Sequence, residues 1–596
     1  MHFVIAGIFL FAPNDRPLEL KSARLDADTV YRALRTDTLG RLFVGGRETL
    51  FVYDPNGRDG YHARRLLTKF PPGTTINDIE IRAHDIYVLT ATALYVIPDG
   101  VRKREKLTAR KLLWGVPGQN VLRSLAWGPE GDLYIAFGNP AGPERWAYWT
   151  FFSETDKSKA PYRGEGGILR CKPDGSNVRV IARGLQNPGG LVFDRHWNLF
   201  ATDGARLLHV TPHAYFGDGL PPMFDGVQPL LGYLDDEPIP AKYRHHLLSG
   251  RDDGLTRLAL AANGASFRAA ERPLLACKKP TAVSVGRGGR IFTILASGEL
   301  MMHASKDDPS APYDVVEATS AKLWQELNEA SWQRRYRAHI EIVRRGGVFL
   351  TDANHRLLNA KSDDPALHHL IWLAAKSGKG SLHLLALVSD ADPRVRVQAL
   401  RALAEFPEQL REEPIFTKAL LDEHPQVQRA SMSAFFAQKV GWDRAIQRTV
   451  ERGPACSKDP YLRQSAALLL SLKATRTQLE DLLSSDEVPH RLAAVRTAGY
   501  RLALATTTSP LPQHLPLAVF KDESAYVIDY ADGKVDLREH GRIGVFTQAE
   551  HWNADKRPAE EELTFKLLRR MTTDEELAIR REAARFLKLL NDPRTR

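Results

Sequence analysis

The chain has 596 residues, too many for a single hydrophobic core, and this length predicts about three or four domains. Its 43% hydrophobic and 26% charged residues are typical of a soluble globular protein. The net charge is +10, but the Lys and Arg residues stand singly among acidic residues and form no dense block. This argues against nucleic acid as a partner.

The first twelve residues, 1–12, form an apolar run ahead of Pro13. The run has the length of a signal-peptide core, but it lacks a basic segment before it and a clear cleavage site. It is also too short to cross a bilayer, and we expect no transmembrane span elsewhere. A partial export signal would predict a periplasmic or other extracytoplasmic location. A first strand of the next domain is the alternative and would leave the protein cytoplasmic.

A short pattern recurs six times through the first half of the chain. Each copy has a strand with bulky apolar residues and then, after a gap, a second apolar strand. The first strands lie at 40–44, 84–88, 131–135, 197–201, 245–249 and 289–293, and the second strands at 49–53, 93–97, 167–171, 206–210, 255–258 and 299–302.

Anchoring leucine or isoleucine residues recur about every 44–48 residues, except for one longer step that contains an insertion at 140–163. Turn sequences such as Pro98-Asp99-Gly100 close several of the second strands. A period of this size in short strands is typical of propeller blades. We therefore predict an all-β six-bladed propeller over 13–310.

The period changes after the propeller. Residues 311–362 are predicted to form a helical linker, with one long helix at 317–345. An Asp-x-x-Pro-x-Val-Arg motif then recurs around Pro393, Pro425, Pro460 and Pro489, which resembles the HEAT repeat. Asp caps each helix and Pro occupies its first turn, where the missing N–H costs nothing.

These repeats must stack to bury their apolar faces, and they predict an all-α HEAT-repeat solenoid over 363–505. The helical pattern lapses at 506–556, which we interpret as a β-hairpin insertion, and a terminal helical repeat follows at 557–596. A stack of this kind is expected to act as a scaffold that docks a protein partner, rather than as a site of chemistry.

The motifs of most catalytic classes are missing. The sequence has no Gly-x-Ser-x-Gly, no Walker loop and no His-Glu-x-x-His, and the pairs His245-His246 and His368-His369 are predicted to be exposed or satisfied polar residues. The three cysteines, Cys171, Cys277 and Cys456, form no metal or disulfide pattern, and no Cys-x-x-Cys-His could attach a covalent haem.

Propellers bind ligands over the central channel, so polar residues that flank the strands are the candidates for a site. Their alternative role is only to shape turns. The candidates are Asn77, Asp78, Arg123, Glu130, Gln186, Asn187, Asp203, Arg251, Asp252 and Asp253.

Two segments of the propeller resemble a known family. The stretch 163–204, chiefly at 163–175 and 183–194, and the stretch 125–134 are similar to the glucose/sorbosone dehydrogenase-like propeller. With the HEAT repeats, nearly the whole chain resembles a group of large membrane-bound dehydrogenase-like proteins. Members of that group carry a terminal haem c domain, which would begin where this chain ends at Arg596.

The resemblance implies a sugar or polyol oxidoreductase that holds pyrroloquinoline quinone (PQQ) and calcium over the channel, where the cofactor carries the redox chemistry. A His base and an Arg-Asn-Pro clamp complete the site in quinoprotein members. The cofactor contacts implied here are Asp78, Arg123, Gln186, Asn187 and Arg251, and the calcium ligands implied are Asp203 and Asp252.

This chain departs from that pattern. Its clamp position reads Gln186-Asn187-Pro188, the loop after Asp203 is short, and no base histidine can be assigned. Two hypotheses therefore stand: a quinoprotein dehydrogenase, or a non-catalytic module that binds a sugar, glycan or protein partner. Convergence of the candidate residues over the channel would favour the enzyme.

Overall fold

The computed structural model describes most of the chain. The described residues are 20–28, 31–57, 60–103, 107–116, 121–139, 150–162, 165–217, 219–237, 239–305, 311–378, 381–406, 413–436, 442–508, 517–521, 524–531, 534–539 and 559–589. The predicted signal segment at 1–12 lies outside them.

The first half of the molecule is built of strands. In chain order these are β1 (Lys21–Ala27), β2 (Ala33–Thr36), β3 (Leu42–Gly45), β4 (Thr49–Tyr53), β5 (Pro55–Asn56), β6 (Gly60–Tyr61), β7 (Arg65–Lys69), β8 (Ile76–Arg82), β9 (Asp85–Thr90), β10 (Ala93–Ile97), β11 (Arg110–Trp114), β12 (Leu122–Trp127), β13 (Leu133–Phe137), β14 (Thr150–Ser153), β15 (Lys159–Pro161), β16 (Gly166–Cys171), β17 (Arg179–Leu185), β18 (Pro188–Phe193), β19 (Leu199–Asp203), β20 (Arg206–Val210), β21 (Phe224–Asp225), β22 (Gly232–Leu234), β23 (His246–Arg251), β24 (Gly254–Asn263), β25 (Ser266–Ala276), β26 (Pro280–Val285), β27 (Ile291–Leu295) and β28 (Glu299–Ala304).

These strands form six antiparallel sheets in a ring, which confirms the six-bladed propeller. Blades one to six are, from the channel outward, β2-β3-β4-β7, β8-β9-β10-β11, β12-β13-β16-β17, β18-β19-β20-β21, β22-β23-β24-β25 and β26-β27-β28-β1. The first strand of the chain, β1, pairs with β28 at the outer edge of blade six, so the two ends of the domain close the ring. The repeated first strands of the sequence are the second strands of the blades.

The insertion predicted at 140–163 contributes two strands. It leaves blade three after β13, and β14 then pairs with β11 on the outer edge of blade two, followed by β15. Phe151 and Phe152 on β14 are fully buried, so the insertion adds apolar contact between two neighbouring blades.

The second half is helical. Its helices are α1 (Ser320–Leu327), α2 (Trp332–Arg345), α3 (Val348–Asn359), α4 (Leu367–Lys376), α5 (Ser381–Leu387), α6 (Pro393–Glu405), α7 (Glu413–Ala419), α8 (Pro425–Phe436), α9 (Arg444–Arg452), α10 (Pro460–Lys473), α11 (Arg476–Leu483), α12 (Val488–Thr508), α13 (Ala559–Arg570) and α14 (Leu577–Leu589). Helices α4, α6, α8, α10, α12 and α14 pack side by side as one layer, as expected for a solenoid.

The repeated motif begins helices where the sequence predicts. Asp392 and Asp459 cap α6 and α10 by accepting hydrogen bonds from backbone N–H groups in the first turn. The motif arginine has its own structural role, since Arg396 and Arg463 each donate to two carbonyls of the preceding turn. This repeated bond ties each inter-helix turn to the helix that follows.

The single long helix predicted at 317–345 is wrong. The structure breaks it into α1 and α2, because Ser331 accepts a hydrogen bond from the N–H of Arg334 and starts a new helix. The predicted insertion at 506–556 contains a three-stranded antiparallel sheet, β29 (Leu517–Lys521), β30 (Ser524–Ala531) and β31 (Lys534–Glu539). Within the described ranges, no helix is both long and apolar enough to cross a membrane.

Helix α2 covers one end of the propeller channel. The inner strands all run toward this end, which we call the lower end, and α2 meets the residues that follow them. Trp332 donates its backbone N–H to Asp235 at 2.8 Å, the hydroxyl of Tyr336 accepts from the N–H of Trp127 at 2.9 Å, and Arg337 pairs with Glu80 at 3.1 Å. The predicted linker is therefore a docked part of the propeller.

The solenoid also packs against the propeller. Arg170 on β16 pairs with Glu405 of α6, Gln426 of α8 donates to the carbonyl of Ser266, and the amide of Gln464 on α10 donates to the carbonyl of Tyr215. The layer that carries the HEAT motifs thus faces the propeller along α6, α8 and α10.

Candidate functional site

The upper end of the channel, where the inner strands begin, brings several candidate residues together. The carboxylate of Asp203, at the end of β19, accepts the backbone N–H groups of Gln186 at 3.0 Å and Asn187 at 2.6 Å. The carbonyl of Asn187 accepts the N–H of Gly204 at 2.8 Å. Asp203 is only 3% exposed, and its hydrogen bonds fix the backbone of the turn before β18 from the buried side.

A cation from the neighbouring blade joins this network. Arg123 on β12 donates to the side-chain oxygen of Asn187 at 2.6 Å and to the carbonyl of Pro188 at 3.2 Å. Burial lowers the pKa of Arg123 from its usual value. A second guanidinium, that of Arg206, pairs with Asp203 from the other side. The sequence has Gln186 where the resemblance implies the arginine of the clamp. In the structure a different arginine, Arg123 of blade three, contacts Asn187.

Beside this network lies a surface hollow of about 360 Å³. Its polar lining is Gln186, Asn187, Asp203 and Arg206, and the ring of Phe216, which is only 2% exposed, lies behind it. Gln186 and Asn187 are exposed. Among the described residues, the side-chain amide of Gln186 and Nδ2 of Asn187 form no hydrogen bond, so these groups face the hollow with unused donors and acceptors.

Asp78 is placed in the channel wall without facing the hollow. One oxygen accepts from the hydroxyl of Ser124 and the N–H of Leu125, each at 2.8 Å, and the other lies 3.4 Å from Arg35. Burial raises the pKa of Asp78 from its usual value. These bonds join blades one, two and three and give Asp78 a structural role.

The other candidates are spread over the molecule. Arg251 pairs with Glu271 in its own blade, and the Asp252 carboxylate accepts from the amide of Gln228 at 3.3 Å. Asn77 donates to the carbonyl of Leu122 at 2.6 Å, which links two blades. Glu130 lies at the lower end, buried 3.0 Å from Arg170, where burial raises its pKa to about 7.

Calcium and PQQ are implied by the family resemblance, and the implied calcium ligands do not form a common site. Both oxygens of Asp203 are already engaged by Gln186, Asn187 and Arg206, and Asp252 lies on the next blade. Calcium requires six to eight oxygen ligands. Across the described ranges, no group of three or more His, Cys, Asp and Glu side chains could hold a metal ion.

Sequence reasoning missed two residues of the hollow and misjudged a histidine pair. Arg206 and Phe216 both come after Asp203 in the chain. Phe216 reaches the hollow because its backbone N–H donates to the carbonyl of Arg183 on β17, a contact that the sequence does not show. His368 and His369 are buried at the lower end, and both ring nitrogens of His369 lack a hydrogen-bond partner in the described structure. The prediction that the pair is exposed or satisfied is therefore wrong for His369.

Comparisons with known proteins identify no family by sequence: no protein-family model matches the chain, and no curated protein matches it. Among solved structures, the PQQ-bound aldose sugar dehydrogenase from Streptomyces coelicolor matches with a TM-score of 0.36 and 16% identity, over 48% of this chain and 98% of that one. The holo form of the pyranose dehydrogenase PQQ domain from Coprinopsis cinerea matches at 0.33 and 13%, over 49% and 99%.

The helical half has a match of its own. An archaeal HEAT-like repeats protein from Thermococcus onnurineus NA1 matches with a TM-score of 0.22 and 15% identity, over 40% of this chain and 80% of that one. Similarity at these levels assigns no activity and no ligand to this chain.

Proposed function

We propose that this protein is a non-catalytic carbohydrate-binding propeller, whose hollow at the upper end binds a sugar and whose helical half holds the opposite end rigid. The observation that carries this proposal is the set of unused polar groups in the hollow. The amide of Gln186 and Nδ2 of Asn187 are exposed and unbonded within the described residues, yet they stand on a turn that Asp203 fixes from below.

Such a turn suits the recognition of sugar hydroxyl groups. An amide side chain presents a donor and an acceptor side by side, and a sugar hydroxyl can serve both. Glycine backbone at Gly184, Gly204 and Gly217 lines the rest of the hollow, so hydrogen bonds with the polar side chains, and not packing on an aromatic ring, would hold a sugar there. Because Arg123 already holds Oδ1 of Asn187, the amide is oriented before a ligand arrives, which lowers the entropy cost of binding.

The quinoprotein dehydrogenase is the competing function, and the resemblance of 163–204 supports it. If PQQ were bound at the upper end, it would supply the redox chemistry, with Arg123 and Asn187 as its nearest polar contacts. The residues present fit that cofactor poorly, since Asp203 is committed to the backbone and to Arg206 and offers no shared calcium site. Binding without chemistry agrees better with the geometry.

Labelled full-length protein on a printed glycan array, followed by calorimetric titration with the bound sugar, tests the proposal. We expect binding that falls at least about tenfold in Asn187→Ala and in Gln186→Ala, because each variant removes a hydrogen bond that a bound ligand would otherwise make. Gln186→Ala removes an exposed amide and should unfold at the same temperature as the wild type. Asn187→Ala also loses the hydrogen bond from Arg123, so its unfolding temperature is measured beside its binding.

Two results would overturn the proposal. Folded protein that binds no glycan on the array has no carbohydrate function of this kind. Micromolar binding of PQQ in the presence of calcium, with sugar-dependent reduction of an artificial electron acceptor, would establish the dehydrogenase instead. A matched control is Gln228→Ala, which removes an amide from the turns of the next blade and should leave glycan binding unchanged.

A further inference from the structure

A second polar cavity lies between the two halves of the molecule, at the opposite end of β20 from the hollow. It is bounded by the turns at the lower end of blades four and five and by helices α6, α8 and α10. It offers about 30 Å³ to the centres of water-sized molecules. Its polar lining includes Asn198, His209, Arg401, Gln426, Arg429 and Ser465.

Two arginines give this cavity its charge. Arg429 is 5% exposed; its Nε donates to the hydroxyl of Ser465 at 3.1 Å and its Nη1 to the carbonyl of Ala265 at 3.2 Å. Its guanidinium lies over the ring of Tyr461, and Nη2 has no hydrogen-bond partner among the described residues. Arg401 is mostly buried and donates to the carbonyl of Trp197 at 3.0 Å. Within the described part of the chain, neither arginine forms a salt bridge with a carboxylate.

The charge of Arg429 is only partly compensated: Tyr461 and Asp459 favour its charged form, but burial outweighs them. Burial, and to a smaller degree the neighbouring Arg401, lower the pKa of Arg429 to about 10. Burial and the same two arginines hold the pKa of His209 well below its usual range, so His209 is neutral. Buried cations in proteins are normally paired, because an unpaired charge away from water is costly. The hydroxyl of Ser465 accepts from Arg429, which leaves its hydrogen free to donate.

We propose that the cavity binds a monovalent anion of about the size of chloride, held by Nη2 of Arg429, Arg401 and the hydroxyl of Ser465. The space limits the ligand, since one water needs about 10–15 Å³ by this measure, and the cavity therefore has room for about two waters. An anion here would link α6 and α8 to the propeller turns at Trp197 and Ala265 and would stabilise the docking of the solenoid.

A crystal structure of the full chain grown or soaked in sodium bromide locates the anion directly. We expect an anomalous difference peak within hydrogen-bond distance of Arg429 Nη2. Density without an anomalous peak, or water alone at this position, would overturn the proposal.

Thermal unfolding in sodium chloride and in sodium gluconate, at the same ionic strength, tests the same site in solution. Because an anion that binds only the folded state raises the unfolding temperature, we expect chloride to give a value at least about 2 °C higher than gluconate. The difference should disappear in Arg429→Gln and shrink in Ser465→Ala, and it should persist in Arg448→Gln, which removes an exposed guanidinium from α9.

Ser465→Ala keeps the test decisive if Arg429→Gln fails to fold. A bromide peak with equal unfolding temperatures in chloride and gluconate would mean an adventitious ion only and would overturn the proposal. A higher unfolding temperature in sulfate than in gluconate, with no increase in chloride, would overturn the proposal that the cavity selects an anion of the size of chloride.

Discussion

The two ends of the propeller channel are built from the same inner strands, but they differ in their polar residues: these are buried and paired at the lower end and partly exposed at the upper end. At the lower end, Asp235, Glu80 and Trp127 meet groups of α2, and their polar atoms lie out of water. At the upper end, Asp203 is equally buried, but it holds a turn whose amide side chains remain exposed. Buried polar pairs that are satisfied within the chain stabilise the structure, whereas exposed and oriented groups remain available to a ligand.

Breaking the lower end should have the largest effect. Arg335 and Asp235 are each 2% exposed and lie 3.1 Å apart. Arg335→Leu would leave a buried carboxylate that is paired only with the half-exposed His245 among the described residues, with Arg195 acting on it more weakly. We expect a loss of about 3 kcal/mol in the free energy of unfolding, because removing one partner of a buried pair costs about 3–5 kcal/mol. Hydrogen exchange of the α2 amides, together with chemical denaturation, measures this loss.

The control for this variant is an exposed ion pair. Glu317→Ala breaks the pair between Arg102, which is 47% exposed, and Glu317, which is 64% exposed. It should lower the free energy of unfolding by no more than about 1 kcal/mol. If Arg335→Leu cost as little as Glu317→Ala, α2 would not be an integral part of the lower end.

Acid should weaken the lower end specifically. Three buried histidines of the described chain lie there, His339, His368 and His369, beside the partly buried His196. Burial lowers the pKa of His339 to about 3 and that of His368 to about 4, and holds the pKa of His369 well below its usual range. These rings are neutral in the folded protein, whereas in the unfolded chain they take up protons below about pH 6.5. Because the unfolded state then binds more protons than the folded state, the free energy of unfolding decreases as the pH falls below about 6.5.

His369→Phe isolates this effect, since it replaces a buried ring without hydrogen-bond partners by an apolar ring of similar size. The variant should match the wild type or exceed it in stability at pH 7, and should be about 2 kcal/mol less sensitive to a change from pH 7 to pH 5. Denaturant unfolding at the two pH values measures the difference. His424→Phe, at a position 47% exposed, is the control, and an equal pH response of the two variants would contradict the prediction.

Local patterns in the sequence predict the fold of both halves well. The six apolar strand pairs and the Asp-Pro helix starts are each encoded within a few residues, by alternation and by capping chemistry. The break at Ser331 is also local, but a run rich in good helix formers hides it. What the sequence cannot show is how far α2 returns under the propeller, because that contact joins Tyr336 to Trp127 across more than two hundred residues.

The candidate site is predictable only in part, for the same reason. Gln186 and Asn187 lead directly into β18, and Asp203 ends the neighbouring strand β19 of the same blade, so a local pattern places them together. Arg123 joins them through blade-to-blade packing, which also separates Asp78 and Glu130 from the hollow. Residues near turns can lie at either end of a blade, and only the direction of each strand decides which end.

The smallest effect should come from a predicted site residue that the fold keeps apart. Arg251 is 48% exposed and pairs with Glu271 on β25, at the edge of its own blade. Arg251→Ala should change the free energy of unfolding by no more than about 1 kcal/mol, because exposed ion pairs contribute little, and should leave glycan binding unchanged. Calorimetric titration beside Asn187→Ala tests the contrast. A loss of binding in both variants would show that the binding surface extends from the hollow across blade five, so that the upper end acts as a whole and not through the turn at Asn187 alone.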